Sequence, residues 1–450
     1  MSKIKTGFSR ICITPPLGVP VSGYYEARFA KEILDDLYVN TVAFDDGKNK
    51  AVVINADIIM LSKDLCDGYR KRISETCSIP AECIFLTCSH THTAPMIGPD
   101  FASDLCGDKD YEEKMVQAFC DSAKEALENT YESEFSIASG EAKKISFIRR
   151  FRMKDGGVQT NPGVGNPNID HALGEPNEEV QLLKIERENA DDVYVVCFGT
   201  HPDSVGGEVI STDYPGYVRY YVEKALDGVK CVFLTGAQGD VNHINPAPTE
   251  GDRCGLDYDS FDGVPRGLDH AKHMGRTIAG AVLQICGKTE KICADEIEFD
   301  EKIVTIPSSQ DNSRIEEAKK IVKLHAEGKD NELGYDAMEL TTVVAEATRI
   351  CELENGPESF DFALTAIKIG DFAFAGLPGE PFVEIGRRIS KASPFKQTMV
   401  CCLTNGGDSY FPTSSAYDEG GYEARSSHLK QGGDDILVEG LSELLKKIGG

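Results

Sequence analysis

Long apolar runs are missing from this chain. Nothing in its 450 residues approaches the ~20 continuous apolar residues that a membrane span needs. The start, MSKIKTGFSRICITPP, has no apolar core followed by a small-residue cleavage site, so no leader is expected. Positive charge is scarce as well. Lysine and arginine number 47 against 74 aspartates and glutamates, a formal net charge of −27, which repels phosphate backbones and anionic headgroups. Nucleic-acid and membrane-surface roles are therefore disfavoured. There is no GxxxxGKS/T loop and no GxGxxG turn for a nucleotide, and no GxSxG elbow for a serine α/β-hydrolase. The 15 cysteines are odd in number, scattered and without a CxxC pair. With no leader, most of them read as small buried apolar residues of a cytoplasmic protein.

What is present is an alternation of strand-length apolar runs with amphipathic helical stretches. The runs are Leu37–Phe44, Ala51–Ala56, Cys83–Cys88, Val180–Ile185, Val193–Phe198, Cys231–Leu234, Ala363–Ile369, Phe372–Ala375 and Thr398–Leu403. Helical patterns cover Ser62–Glu75, Tyr111–Leu127, Pro215–Leu226, His270–Cys286, Ser313–His325, Tyr335–Leu353 and Asp434–Lys447. This predicts an α/β fold with a mixed, mostly parallel sheet flanked by helices. No composition break marks a linker, so one domain over 1–450 is expected. Asp155–Glu178 and Asn245–Gly267, rich in Gly, Pro and Asn, read as long loops of the kind that carry function.

Chemistry concentrates at strand ends. In Cys88-Ser-His90-Thr-His92-Thr-Ala-Pro95, extended backbone would turn His90 and His92 to one face, and imidazole serves as metal ligand or general base. His201 follows Val193–Phe198, Asp240 follows Cys231–Leu234, Glu380 follows Phe372–Ala375, Tyr410 follows Thr398–Leu403, and Asp57 closes Ala51–Ala56. Polar residues just past several strands are what an α/β active-site crevice requires. Two histidines and a carboxylate with one open position would make a catalytic metal site. Arg149-Arg150-Phe-Arg152 is a basic island: a solvated turn or an oxyanion clamp. His171 and His243 lie in the long loops, while His270, His273, His325 and His428 fall in helical patterns and read as solvated or capping residues.

The runs CSHTHTAP (Cys88–Pro95), GTHP (Gly199–Pro202), STDYPG (Ser211–Gly216), GAQGDVN (Gly236–Asn242), LPGE (Leu377–Glu380) and YFPTSSAYDEGGYE (Tyr410–Glu423) resemble the catalytic domain of neutral/alkaline, non-lysosomal ceramidases. They occur in that family's order, from Ile13–Pro16 to the last helix. The resemblance implies one zinc, with Fe2+ or Mn2+ as alternative occupants, held by His90, His201, Glu380 and Tyr410. It implies His92 as proton carrier, and Arg149 and Tyr422 at the scissile carbonyl, with Arg150 the competitor for the arginine's role. Two departures stand out. The family's serine after its GDV-like turn is Asn242 here, and no C-terminal β-sandwich domain is expected. The expected function is zinc-dependent hydrolysis of a carboxamide in a small soluble N-acyl compound. The alternatives are a lyase or isomerase acting on a sugar- or acid-like substrate, and a non-catalytic binding protein on the same scaffold.

Overall fold

The computed structural model describes residues 4–99, 105–248, 267–407 and 409–450. A nine-stranded sheet runs in the order Val229–Thr235, Asp192–Phe198, Glu179–Arg187, Thr130–Glu141, Lys5–Cys12, Tyr38–Asp45, Lys50–Ala56, Ile84–Cys88, with Glu290–Lys291 added beside Thr130–Glu141. The end pairs, Val229–Thr235 with Asp192–Phe198 and Ile84–Cys88 with Lys50–Ala56, are parallel. The inner pairs are antiparallel. The class is α/β and the sheet mixed, as the sequence predicts, but parallel pairing is confined to the ends. The reason is loop length. Tyr38–Asp45 and Lys50–Ala56 are joined by a tight turn in which Asp46 accepts from the N–H groups of Lys48 and Asn49 (2.7 and 2.6 Å). A turn that short cannot cross over to a parallel neighbour. These strands look continuously apolar because both faces are covered, not because they are parallel.

A second sheet orders Ile297–Pro307, Ser359–Ile369, Phe372–Gly376 and Gln397–Cys401. Its last pair is parallel, across the helix Val383–Ala392. One continuous core joins the two sheets, with Phe44, Phe85 and Phe374 packed ring to ring. Helices cover the rest: Lys109–Glu128 against Lys5–Cys12, Asp213–Ala225 against Val229–Thr235, and Gly433–Gly449 against the second sheet. No helix among the described residues is long and apolar enough to cross a membrane.

Past the second sheet, Cys402–Asn405 is wedged between the two edge strands of the first. Thr87 donates to the Cys402 carbonyl (3.0 Å), the Cys402 N–H to Thr235 O (3.0 Å), and the Asn405 N–H to Leu86 O (2.8 Å). The C-terminal ends of Ile84–Cys88, Asp192–Phe198, Val229–Thr235 and Gln397–Cys401 therefore meet at one place. Of the two expected loops, Asp155–Glu178 is partly ordered as Val158–Thr160 and Ile169–Ala172, which flank Arg150–Met153 in a three-stranded sheet. Most of Asn245–Gly267 lies outside the described residues.

Candidate metal centre

His90 leaves the strand Ile84–Cys88 in a left-handed turn, φ 70°, not in the extended backbone expected for the HxH pair. It still converges with His92: their rings meet edge to face at 4.9 Å, and ligand atoms of His90, His92 and His201 all lie within 4.8 Å of one another. Each ring is fixed through its Nδ1 by a backbone carbonyl: His90 by Ile59 O (2.9 Å), His92 by Gly23 O (3.0 Å), His201 by Gln238 O (3.2 Å). A carbonyl only accepts, so each Nδ1 is the protonated nitrogen and each Nε2 carries the lone pair. Burial holds His201 below its ordinary pKa, with the Arg149 cation acting in the same direction, and burial lowers His92 to about 3. Both are neutral at pH 7.

Glu380 and Tyr410 arrive together because Glu380–Pro381 pairs in parallel with Tyr410–Phe411. Glycine is required nearby: a Cβ on Gly239 would sit 2.5 Å from the Glu380 carbonyl oxygen. Glu380 Oε2 is 3.1 Å from His201 Nε2 and 3.4 Å from His90 Nε2; the two Nε2 atoms are 3.3 Å apart, and Tyr410 Oη is 3.5 Å from His201 Nε2. Glu380 Oε2 is buried against both Nε2 atoms and has no hydrogen-bond partner. A cation resolves that arrangement.

Arg149 and Arg150 part company. The Arg149 guanidinium lies 5.5 Å from the Tyr410 ring centre and 6.0 Å from that of Tyr422. Its Nε donates to Glu423 (2.6 Å) and its Nη2 to Gly239 O (2.8 Å). Glu423 is completely buried and also accepts from Thr160 (3.0 Å). Arg150 instead stacks on Phe382, bonds Glu419 and Gly420 O, and lines a separate polar cavity of about 410 Å³ with Asp240 and Arg387. Burial raises the phenols of Tyr410 and Tyr422; Glu380 pushes Tyr410 further up, while Arg149 pulls both down.

Other candidates have different work. Asp57 is in a buried bidentate pair with Arg219 (2.8 and 2.6 Å). Asp240 accepts from Val383 N–H at the start of a helix (2.8 Å), and burial raises its pKa to about 6. Asn242 donates to Asn161 (2.9 Å) and accepts from Ile244 N–H (3.0 Å), so its amide shapes the loop. His171 is exposed beside Asp170, His325 pairs with Asp330 and His428 with Glu352. His243 and His270 are buried with ring centres 5.1 Å apart, so His270 is not the solvated helical residue its pattern predicts. The STDYPG run supplies scaffolding: Thr91 donates to Ser211 O (2.7 Å), Thr212 to Asp35 (2.6 Å), and the Val205 N–H to Asp213 (2.7 Å), tying the two histidine loops together. Sequence reading missed Glu423, Tyr24, Arg28 and Asp203. Glu423 and Asp203 immediately follow site residues or their motifs, but Tyr24 and Arg28 carry no spacing signal.

Fold and site together define a mixed α/β scaffold carrying a buried cluster of metal-ligand side chains. Among solved structures, the chain is similar to the neutral ceramidase from Pseudomonas aeruginosa (TM-score 0.72, 17% identity, covering 100% of this chain and 76% of that one). It is equally similar to a ceramidase complexed with C2 (TM-score 0.72, 16% identity, 100% and 76%). The chain has the neutral-ceramidase fold. No family model matches the chain, and no curated protein matches it.

Proposed function

We propose that the protein is a zinc-dependent hydrolase that cleaves a carboxamide in a small N-acyl compound. One observation carries this reading. Four-coordinate zinc with bonds of ~2.0–2.2 Å spaces its ligand atoms ~3.3–3.6 Å apart. The separations His90 Nε2–His201 Nε2 (3.3 Å), His90 Nε2–Glu380 Oε2 (3.4 Å) and His201 Nε2–Tyr410 Oη (3.5 Å) fall in that range, and His201 Nε2–Glu380 Oε2 (3.1 Å) falls just short of it. These four residues would hold the ion, which when bound acidifies a water and polarises a carbonyl. Iron(II) or manganese(II) would suit the same donors.

The remaining residues do acid–base and electrostatic work. His92, neutral and tied to Gly23 O, presents Nε2, which has no protein partner, as acceptor for the water's proton. It returns that proton to the departing nitrogen. Arg149, clamped by Glu423 and Gly239 O, donates with Tyr422 to the carbonyl oxygen as negative charge develops there. The ceramidases of the same fold support amide cleavage as the reaction class. The test is turnover of an N-acetyl amide library in ¹⁸O-labelled water by the zinc-loaded protein. Hydrolysis puts label into the released acid. Turnover without label makes the site a lyase or isomerase, and no turnover across the library with zinc in place makes it a binding protein.

A further inference from the structure

Two residues beyond the ligand His201, Asp203 is half-buried on the His92 side of the cluster. Pro202 O accepts from the His92 N–H (3.2 Å), so the segment carrying Asp203 is pinned against His92. Tyr24 donates to Asp203 Oδ1, and the Tyr24 ring is 5.7 Å from that of His92. Tyr24 in turn lies under the Arg28 guanidinium, 3.9 Å from its ring centre. Arg28 is buried and bound to the carbonyls of Ser22, Gly207 and His92. The Val205 N–H bond to Asp213 fixes the segment from its other end. This carboxylate and its phenol are thus held beside His92, the residue that would hand over the proton.

We propose that Asp203, oriented by Tyr24, is the specificity residue for the amine half of the scissile amide, and that this half bears hydroxyl or ammonium donors. The proposal rests on the hydrolytic reading above. Hydrolysis adds water across the C–N bond, giving an acid and an amine, with one proton passing through His92 to the nitrogen. The fragment on that nitrogen meets Asp203. A carboxylate there accepts from hydroxyl or ammonium groups, repels an anionic fragment, and is desolvated without return by an alkyl chain.

The test compares three acetamides sharing one acyl group: N-acetylglucosamine (hydroxylated), N-acetylputrescine (cationic) and N-acetylhexylamine (alkyl). One or both polar substrates should exceed the alkyl one by about tenfold or more in kcat/KM, and which one does separates hydroxyl from ammonium recognition. Asp203→Asn should abolish a cationic preference, and Tyr24→Phe, which keeps the fold contact, should weaken either preference. Equal rates for all three, or a preference that survives Asp203→Ala, would overturn the proposal. If zinc-loaded protein cleaves none of them, hydrolysis fails as a reading. Calorimetric titration with the same three uncleaved acetamides then decides the recognition question. Tighter, Asp203-dependent binding of a polar acetamide sustains it, and equal or absent binding of all three ends it.

Discussion

Two buried carboxylates sit just past strand ends, Asp57 after a strand of the first sheet and Glu380 after one of the second, and they differ in how their donors and acceptors balance. Asp57, after Lys50–Ala56, meets both Nη atoms of Arg219 and also accepts from the Tyr38 N–H (2.9 Å). Its charge is cancelled and its oxygens are satisfied. Glu380 is also buried, yet its Oε2 faces two imidazole nitrogens and has no hydrogen-bond partner. From sequence the two carboxylates look alike, each a polar residue past an apolar run. The lesson is that a strand-end position does not make a site. A deficit of positive charge among convergent acceptors does.

The largest expected effect breaks the open cluster. His201→Ala should lose the metal and reduce amide turnover by about 10³-fold or more, with the fold intact by circular dichroism. Arg149→Ala should leave metal content unchanged and cost about 10²–10³-fold in kcat, because it removes a donor to the developing oxyanion. Glu423→Gln should reproduce part of that loss by freeing the arginine, with Arg150→Ala a much weaker counterpart. The closed pair should behave in the opposite way. Arg219→Ala should destabilise the fold by about 3–5 kcal/mol in denaturant titrations, by stranding Asp57, while leaving zinc stoichiometry at the wild-type value. A variant at Asp57 or Arg219 that loses zinc without losing stability would erase the distinction.

The smallest effect concerns pH. His92 is held near 3, well below its unfolded value of ~6.5. Between those values the unfolded chain binds a proton that the folded chain refuses, so the stability owed to His92 should fall as pH drops through that window. Asp213 and Asp240, raised to about 7 and about 6, act with the opposite sign in that window, so the expected result is differential: from pH 7 to pH 4.5 the unfolding midpoint of the parent should fall relative to that of His92→Asn. An unchanged slope would mean that His92 is not the buried neutral ring described here.

Much of this was readable from residues alone. The apolar runs at Leu37–Phe44, Val193–Phe198 and Phe372–Ala375 all lie on strands, since uninterrupted hydrophobicity signals burial on both faces. Thr130–Glu141 and Ile297–Pro307 gave no such signal, because large parts of them are exposed and their polar residues break the pattern. The helix Val383–Ala392 escaped because it is short and follows a Pro-Phe turn. His90, His201, Glu380 and Tyr410 were nameable through motifs in a shared order, and only the resemblance those motifs carry, not any pattern of spacing, implied their convergence. It depends on Cys402–Asn405 bridging two edge strands far apart in sequence, a contact no local pattern encodes. The same holds for Arg149 and Arg150: neighbouring positions cannot tell them apart, and only the fold sets Arg149 beside the Tyr410 and Tyr422 rings while both arginines reach Glu423.

Metal content by plasma mass spectrometry, on the purified protein beside His90→Ala, tests the central claim most directly. The account predicts about one equivalent of zinc, or of iron or manganese in its place, in the parent and close to none in the variant. A parent that takes up no transition metal even after reconstitution with zinc would contradict it, and the buried acceptors around Glu380 would then need another explanation.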